Sequence, residues 1–199
     1  MKVLIACEES QAVCIAFREQ GHEAYSCDIL DCSGGHSEWH IKGDAIKEAY
    51  SGKYDMMIAH PPCTYLANSG VQYLSKDPCR WFKMDEARAF FMRILNADIP
   101  KKCIENPIPH FYCSLPKYSQ IIHPWQHGHE TMKKTCLWIA GLPELKPSKV
   151  VSTGKKYDHP GRNRTSGSDW YNTGNFKERC RMRKLTFQGI ADAMASQWG

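Results

Sequence analysis

The sequence has no long apolar run. Its longest, Val3–Cys7 and Met56–Ala59, fall far short of the ~18 residues a membrane span needs. No apolar leader is expected either, since Met1-Lys2-Val3-Leu4-Ile5-Ala6-Cys7 turns acidic at Glu8-Glu9. A soluble, cytoplasmic chain with no membrane contact is expected. No Gly-x-x-x-x-Gly-Lys loop is present, which argues against a nucleoside triphosphatase. There is no Cys-x-x-Cys pair, and the ten cysteines lack regular spacing, so they read as reduced thiols. Cys27, Cys32, His36 and His40 match no zinc spacing, and His129-Glu130 lacks the second histidine of a zinc protease helix. No metal is expected. Strong charge is missing as well. The net of +5 permits a nucleic-acid partner without demanding one. No glycine follows the first apolar run, where Cys7-Glu8-Glu9-Ser10-Gln11 stands, and no internal repeat is visible.

What is present is a globular composition. With 42% hydrophobic and 24% charged residues in 199, a single domain with a substantial core is expected, not a disordered chain. Residues 2–7 form an apolar run fit for a fully buried strand. Residues 10–20 carry helical periodicity, and Gly21-His22 stops them. A second strand is expected over Ala24–Cys27, a polar loop over 31–43, a short helix over Ala45–Tyr50 and a third strand over Asp55–Ala59. A longer helix, Met84–Asn96, places Ala87, Phe90, Phe91, Ile94 and Leu95 on one face. Lys102–Glu105 and Thr135–Ala140 read as further strands, Gly189–Gln197 as a last helix. Strands alternating with helices imply right-handed crossovers, hence an α/β fold with a mostly parallel sheet and helices on both faces.

Ligands of such sheets lie beyond the carboxyl ends of the strands. Polar residues stand at four of those ends: Cys7-Glu8-Glu9-Ser10, Asp28, His60-Pro61-Pro62-Cys63 and Glu105-Asn106-Pro107. An acid ending the second strand is placed to accept from ribose hydroxyls, as Asp28 is. Asp44, after Gly43, is either a neighbour of adenine or ribose or a helix N-cap. Cys63 follows two prolines, which fix its backbone and present its thiol. A thiolate is a strong soft nucleophile, whereas an ordinary free cysteine is a small buried filler. Glu105 ends the neighbouring strand and could hydrogen-bond a ring nitrogen that gains electrons as Cys63 attacks an electron-poor ring. His60 either tunes that thiol or caps its strand.

In this order, the strand-end acid, Gly43-Asp44, Pro61-Pro62-Cys63 and Glu105-Asn106-Pro107 resemble the cytosine-5 DNA methyltransferases. The chain is most similar to the short methyltransferase-like proteins of bacteriophages and prophages, in segments such as AHPPCTYL, IENP and KKTCLW. The resemblance implies a Rossmann-like fold that binds S-adenosyl-L-methionine (AdoMet) and acts in the cytoplasm of a bacterial host. It implies that Cys63, held by Pro62, attacks cytosine C6. It gives Glu105, beside Asn106, the ring N3 and exocyclic amine to hold. AdoMet would lie along Cys7, Glu8, Glu9 and Ser10, with Asp28 and Ile29 at its ribose, Asp44 near its adenine, and His60 and Pro61 flanking it. The methyl would pass to C5, a base would remove the C5 proton, and the target base must leave the stack.

From Lys146 onward there are 11 lysines and arginines against four acids. Residues 1–145 read as the catalytic core, 146–183 as a basic recognition arm, and 184–199 as a helix returning to the core. Arg162, Arg164, Lys177, Arg179, Arg181 and Arg183, with aromatics among them, suit DNA, or else form a solvated loop. Two alternatives stay open: the acceptor is RNA or a pyrimidine nucleotide, or the chain is an inactive module of this fold that binds nucleic acid or a host protein. No obligate protein partner is inferred.

Overall fold

The computed structural model describes residues 1–153 and 186–199, and the backbone of 157–159 and 162–166. The first strand, β1 (Lys2–Ala6), is apolar because it lies between two parallel partners, β2 (Glu23–Asp28) and β4 (Met56–Ala59). All four residues of β4 are buried. The parallel set continues with β3 (His40–Lys42) beside β2 and β5 (Lys101–Pro107) beside β4. A hairpin of β6 (Gln120–Ile122) and β7 (Thr135–Ala140) completes it, with β7 antiparallel to both β5 and β6. Among the described residues the order is β3-β2-β1-β4-β5-β7-β6, a Rossmann-like α/β sheet. The chain winds outward from β1 in one direction and from β4 in the other. The carboxyl ends of β1 and β4 therefore open a crevice at the switch point.

Helices cover both faces. On one, α1 (Ala12–Glu19) and the last helix, α4 (Gln188–Trp198), pack over Val3, Ile5, Met56, Ile58 and Leu137. On the other, α2 (Ala45–Ala49) and α3 (Cys79–Leu95) cover Leu4, Ala6, Met57 and Ile104. Phe91 of α3 meets Trp138 edge to face at 4.9 Å, and the Trp138 indole donates to the Pro116 carbonyl at 2.8 Å. Gly189 lets the first turn of α4 lie directly on the His127 carbonyl, where a Cβ would collide. No helix among the described residues is long and apolar enough to cross a membrane.

Several elements differ from expectation. The 31–43 loop contains β3, a three-residue edge strand without an apolar run to announce it. Helix α3 begins five residues early, after Pro78, because its first turn is exposed and carries no apolar stripe. Strand β5 runs on through Pro107, since β7 pairs with it as far as Thr135. Inside the stretch read as a basic recognition arm, β8 (Tyr157–His159) and β9 (Arg162–Ser166) pair antiparallel.

Candidate active site

Two chain segments meet at the ends of β4 and β5. After Ala59 the His60 N–H donates to the Ala6 carbonyl at 2.9 Å, carrying β4 one residue further along β1. Pro61 is buried, Pro62 exposed and Cys63 half-buried. The Asn106 side-chain amide donates to the Pro61 carbonyl at 2.8 Å, a buried bond across 45 residues of sequence. Beyond Cys63 the chain turns at once, its carbonyl accepting from Leu66 N–H (3.0 Å) and Ala67 N–H (2.9 Å). Ala67 bridges to Pro109, and His110 N–H donates to the Leu66 carbonyl. Proline rigidity, the Asn106 clamp and this stitching together fix the Cys63 backbone.

Beside the clamp lies a mostly buried charge cluster. His60 and Glu105 occupy adjacent strand ends on the α1/α4 face, with His60 Nδ1 3.2 Å from a Glu105 carboxylate oxygen. Lys133, Thr135, Phe187 and Ile190 complete the pocket around them. Burial works to lower the His60 pKa, but the Glu105 bond and the nearby Glu8 charge outweigh it, and the ring is raised above the usual imidazole range. Burial works to raise Glu105, yet His60 and Lys133 hold its carboxyl below the usual carboxylate range. Both shifts run in the same sense: each partner favours the charged form of the other. The second ring nitrogen of His60, Nε2, is buried and finds no hydrogen-bond partner among the described residues.

The other half of the crevice is built differently. Without glycine in the loop after β1, Cys7 (φ 60) and Gln11 (φ 61) take left-handed backbone while carrying side chains. The buried Glu8 carboxylate accepts from Val13 N–H (2.8 Å) and Cys14 N–H (3.2 Å), so it caps α1. Burial, opposed by His60 and those two N–H groups, pushes its pKa up. Glu9 and Ser10 lie against residues 33–34. The Ser33 N–H donates to the Glu9 carbonyl, and a Cβ on Gly34 would come within 2.6 Å of the Ser10 carbonyl oxygen. Gln11 is fully buried and ties the loop to Ser26 and to both the N–H and the carbonyl of His36.

Asp28 Oδ1 accepts from Leu30 N–H (2.9 Å), and Asp44 Oδ1 accepts from Ile46 N–H (2.9 Å) as the N-cap of α2. The Cys7 thiol is pushed up to about 12, first by burial, then by Asp28, Cys27 and Asp44, which places both acids near that sulfur. Cys7 therefore stays protonated and is no rival nucleophile. Ile29 stands beside them, 75% exposed. Two carboxylates, each with a second oxygen, and an exposed aliphatic side chain fit the hydroxyls and flat base of an adenosine. The residues present thus suit the adenosine half of AdoMet, and Asp28, Ile29 and Asp44 would hold it.

The structure brings His60, Pro61, Pro62, Cys63, Glu105 and Asn106 together, and separately Cys7, Asp28, Ile29 and Asp44. Glu8 reaches toward both groups, but its carboxylate faces α1 and the His60 charge. Arg162 and Arg164 fall on β9, while Lys177, Arg179, Arg181 and Arg183 lie outside the described residues. Sequence reading missed Lys133 and Thr135, which arrive from the loop before β7 and its first residue, and Gln11, whose role rests on backbone shape. His36 and His40 hold structure: His36 stacks on Trp39 at 3.9 Å, and His40 bonds the Ser26 hydroxyl and the Leu30 carbonyl. Among the described residues no His, Cys, Asp and Glu side chains group to hold a metal.

Comparison of the whole chain with solved structures finds three of note. One is a candidate DNA modification methyltransferase encoded within an E. coli prophage, 12% identical over 92% of this chain and 69% of that one, with a TM-score of 0.48. The second is the bifunctional kinase-methyltransferase WbdD, 11% identical over 89% of this chain and 41% of that one, TM-score 0.42. The third is WbdD with a kinase inhibitor, 12% identical over 92% and 47%, TM-score 0.41. This chain spans less than half the length of WbdD. At such identities the likeness concerns the fold alone. No family model matches the sequence, and no curated protein matches it.

Proposed function

We propose that the chain is an AdoMet-dependent methyltransferase that methylates C5 of cytosine in DNA, with Cys63 as nucleophile and Glu105 as the group that orients the ring. The observation carrying this reading is the Asn106–Pro61 clamp, which sets the Cys63 loop and the Glu105 strand end side by side from distant parts of the chain. The Cys63 thiolate forms a bond to C6, and an electron pair moves through the ring to N3. Once C5 carries the methyl group, loss of the C5 proton to a base and return of the N3 proton expel the Cys63 thiolate from C6. Glu105, held as a carboxylate by His60, accepts from the exocyclic amine. The proton that N3 needs comes from the His60 imidazolium by way of Glu105, leaving a neutral imidazole. AdoMet, when bound, supplies an electrophilic sulfonium methyl. Asp28, Ile29 and Asp44 hold its adenosine half beside the β1–β4 switch point.

The test is methyl transfer from tritiated AdoMet to mixed-sequence DNA, followed by digestion to nucleosides. Label in 5-methylcytosine supports the reading. Label in N4-methylcytosine or N6-methyladenine, or in RNA but not DNA, overturns it.

A further inference from the structure

Beside the Cys63 loop the chain leaves several rings in solvent. Phe111 is 90% exposed, Phe82 68% and Tyr112 55%, with Tyr73 and Trp81 close to half. They are grouped. Trp81 meets Tyr112 edge to face at 5.4 Å, and Tyr112 meets Phe111 at 5.9 Å. Cations flank Tyr73 and the half-buried Tyr65: the Arg80 guanidinium lies 4.9 Å from the Tyr65 ring centre and 5.4 Å from that of Tyr73. Lys83 lies 5.9 Å from Tyr65, and Lys76 5.7 Å from Tyr73. Over 64–83 the cations are Lys76, Arg80 and Lys83, and the one acid, Asp77, caps the Cys79 N–H. Asp85 and Glu86 follow in the next turn of α3.

This shelf is anchored to the site. Arg80 donates to the carbonyl of Thr64, the residue after Cys63, at 3.1 Å, and His110 bonds the Tyr65 carbonyl at 3.1 Å. The Trp81 indole donates to the Leu74 carbonyl, which fixes the ring while leaving it in solvent. Exposed rings in a contiguous patch mark a surface that binds something. Flat faces interleaved with cations match a partner that has both flat faces and anions. Unpaired nucleotides have both, whereas a duplex offers phosphates but keeps its base faces stacked.

We propose that the shelf of Trp81, Phe111 and Tyr112, with Arg80 and Lys83, binds unpaired nucleotides flanking the target base, so that the substrate strand is single-stranded or locally opened. This inference rests on the proposed nucleic-acid substrate and names its form. The test avoids cytosine, so that binding is read apart from chemistry. A labelled oligothymidylate of about 12 nucleotides, within the site sizes known for single-strand binders, is titrated by fluorescence anisotropy beside the matching dT/dA duplex. The wild type binds the single strand more tightly than the duplex. A Phe111→Ala, Tyr112→Ala double variant weakens the single strand about tenfold or more and leaves the salt slope unchanged, because stacking carries no charge. Lys83→Gln shrinks that slope by about 0.7. Equal binding of duplex and single strand, or wild-type affinity in the double variant, overturns the proposal. So does a double variant that changes only self-association, since the rings would then face a second copy. Ring-dependent binding without methyl transfer leaves the shelf standing and removes the enzymatic reading. Transfer to duplex DNA that the double variant leaves unaltered does the reverse.

Discussion

The two halves of the strand-end crevice place their polar side chains in opposite ways. At β1–β2 the acids serve their own neighbourhoods: Glu8 caps α1, Asp44 caps α2, and Asp28 closes its own turn on Leu30. At β4–β5 the side chains join distant segments, Asn106 to Pro61 and His60 to Glu105, each 45 residues apart. The first half tolerates a lost carboxylate as it would a lost cap. The second is a coupled unit, in which removing one member strands its partner in a buried site. The proposed function assigns reaction chemistry to the coupled half and cofactor binding to the locally capped one.

The strongest test of that division is Cys63→Ala against Asp28→Ala. The first abolishes methyl transfer, by at least about 10³-fold, and leaves AdoMet binding intact. The second raises the KM for AdoMet and largely spares kcat at saturation. If both variants lose only AdoMet affinity, the division fails.

Next in size is His60→Gln, which removes the partner that Glu105 and Glu8 share and leaves Glu105 with Lys133 alone. A loss of about 3–5 kcal/mol is expected, read by denaturant unfolding. The pH dependence contributed by the His60–Glu105 pair has two limbs. His60, raised in the folded state, contributes stability in full below about 6.5, and that contribution is lost as pH rises through the folded value. Glu105, lowered in the folded state, contributes above about 4.3 and loses its share as pH falls through the folded value. His60→Gln removes the alkaline limb, and an unchanged profile would separate His60 from Glu105.

Asn106→Ala comes third. It leaves the buried Pro61 carbonyl unpaired at about 1–3 kcal/mol, and transfer falls further than that stability loss accounts for. An activity loss no larger than the fraction unfolded would make the clamp merely structural. The smallest effect is Asp44→Ala, about 1 kcal/mol from the lost α2 cap, together with weaker AdoMet binding. Isothermal titration beside thermal unfolding separates the two contributions.

Much of this architecture was legible because it is local. The apolar runs at β1, β4 and β7 and the stops at Gly21 and Pro61-Pro62 are short-range signals, and Asp44 could be named as a cap before its partner was known. Cys63 and Glu105 stood out because two prolines, and an acid at a strand end, are unusual neighbours. The His60–Glu105 pairing was not legible, because only the parallel register that sets Ala59 opposite Ile104 makes the next residues neighbours. Lys133 enters from a loop whose place depends on the antiparallel β7, and nothing in its surrounding residues announces a charge partner. The exposed rings did leave a trace in the adjacent pairs Trp81-Phe82 and Phe111-Tyr112. Hydrophobic reading treats such pairs as core, and only the fold shows that they face solvent.

One measurement reaches the central claim directly. The protein is mixed with AdoMet and DNA carrying 5-fluorocytosine, and intact mass and peptide mapping follow. Fluorine at C5 cannot leave as a proton does, so the enzyme stays bonded to the base. An AdoMet-dependent adduct that maps to Cys63 is the predicted result. An adduct on a different residue, or none from DNA that the protein demonstrably methylates, would contradict the assignment of Cys63 as the nucleophile.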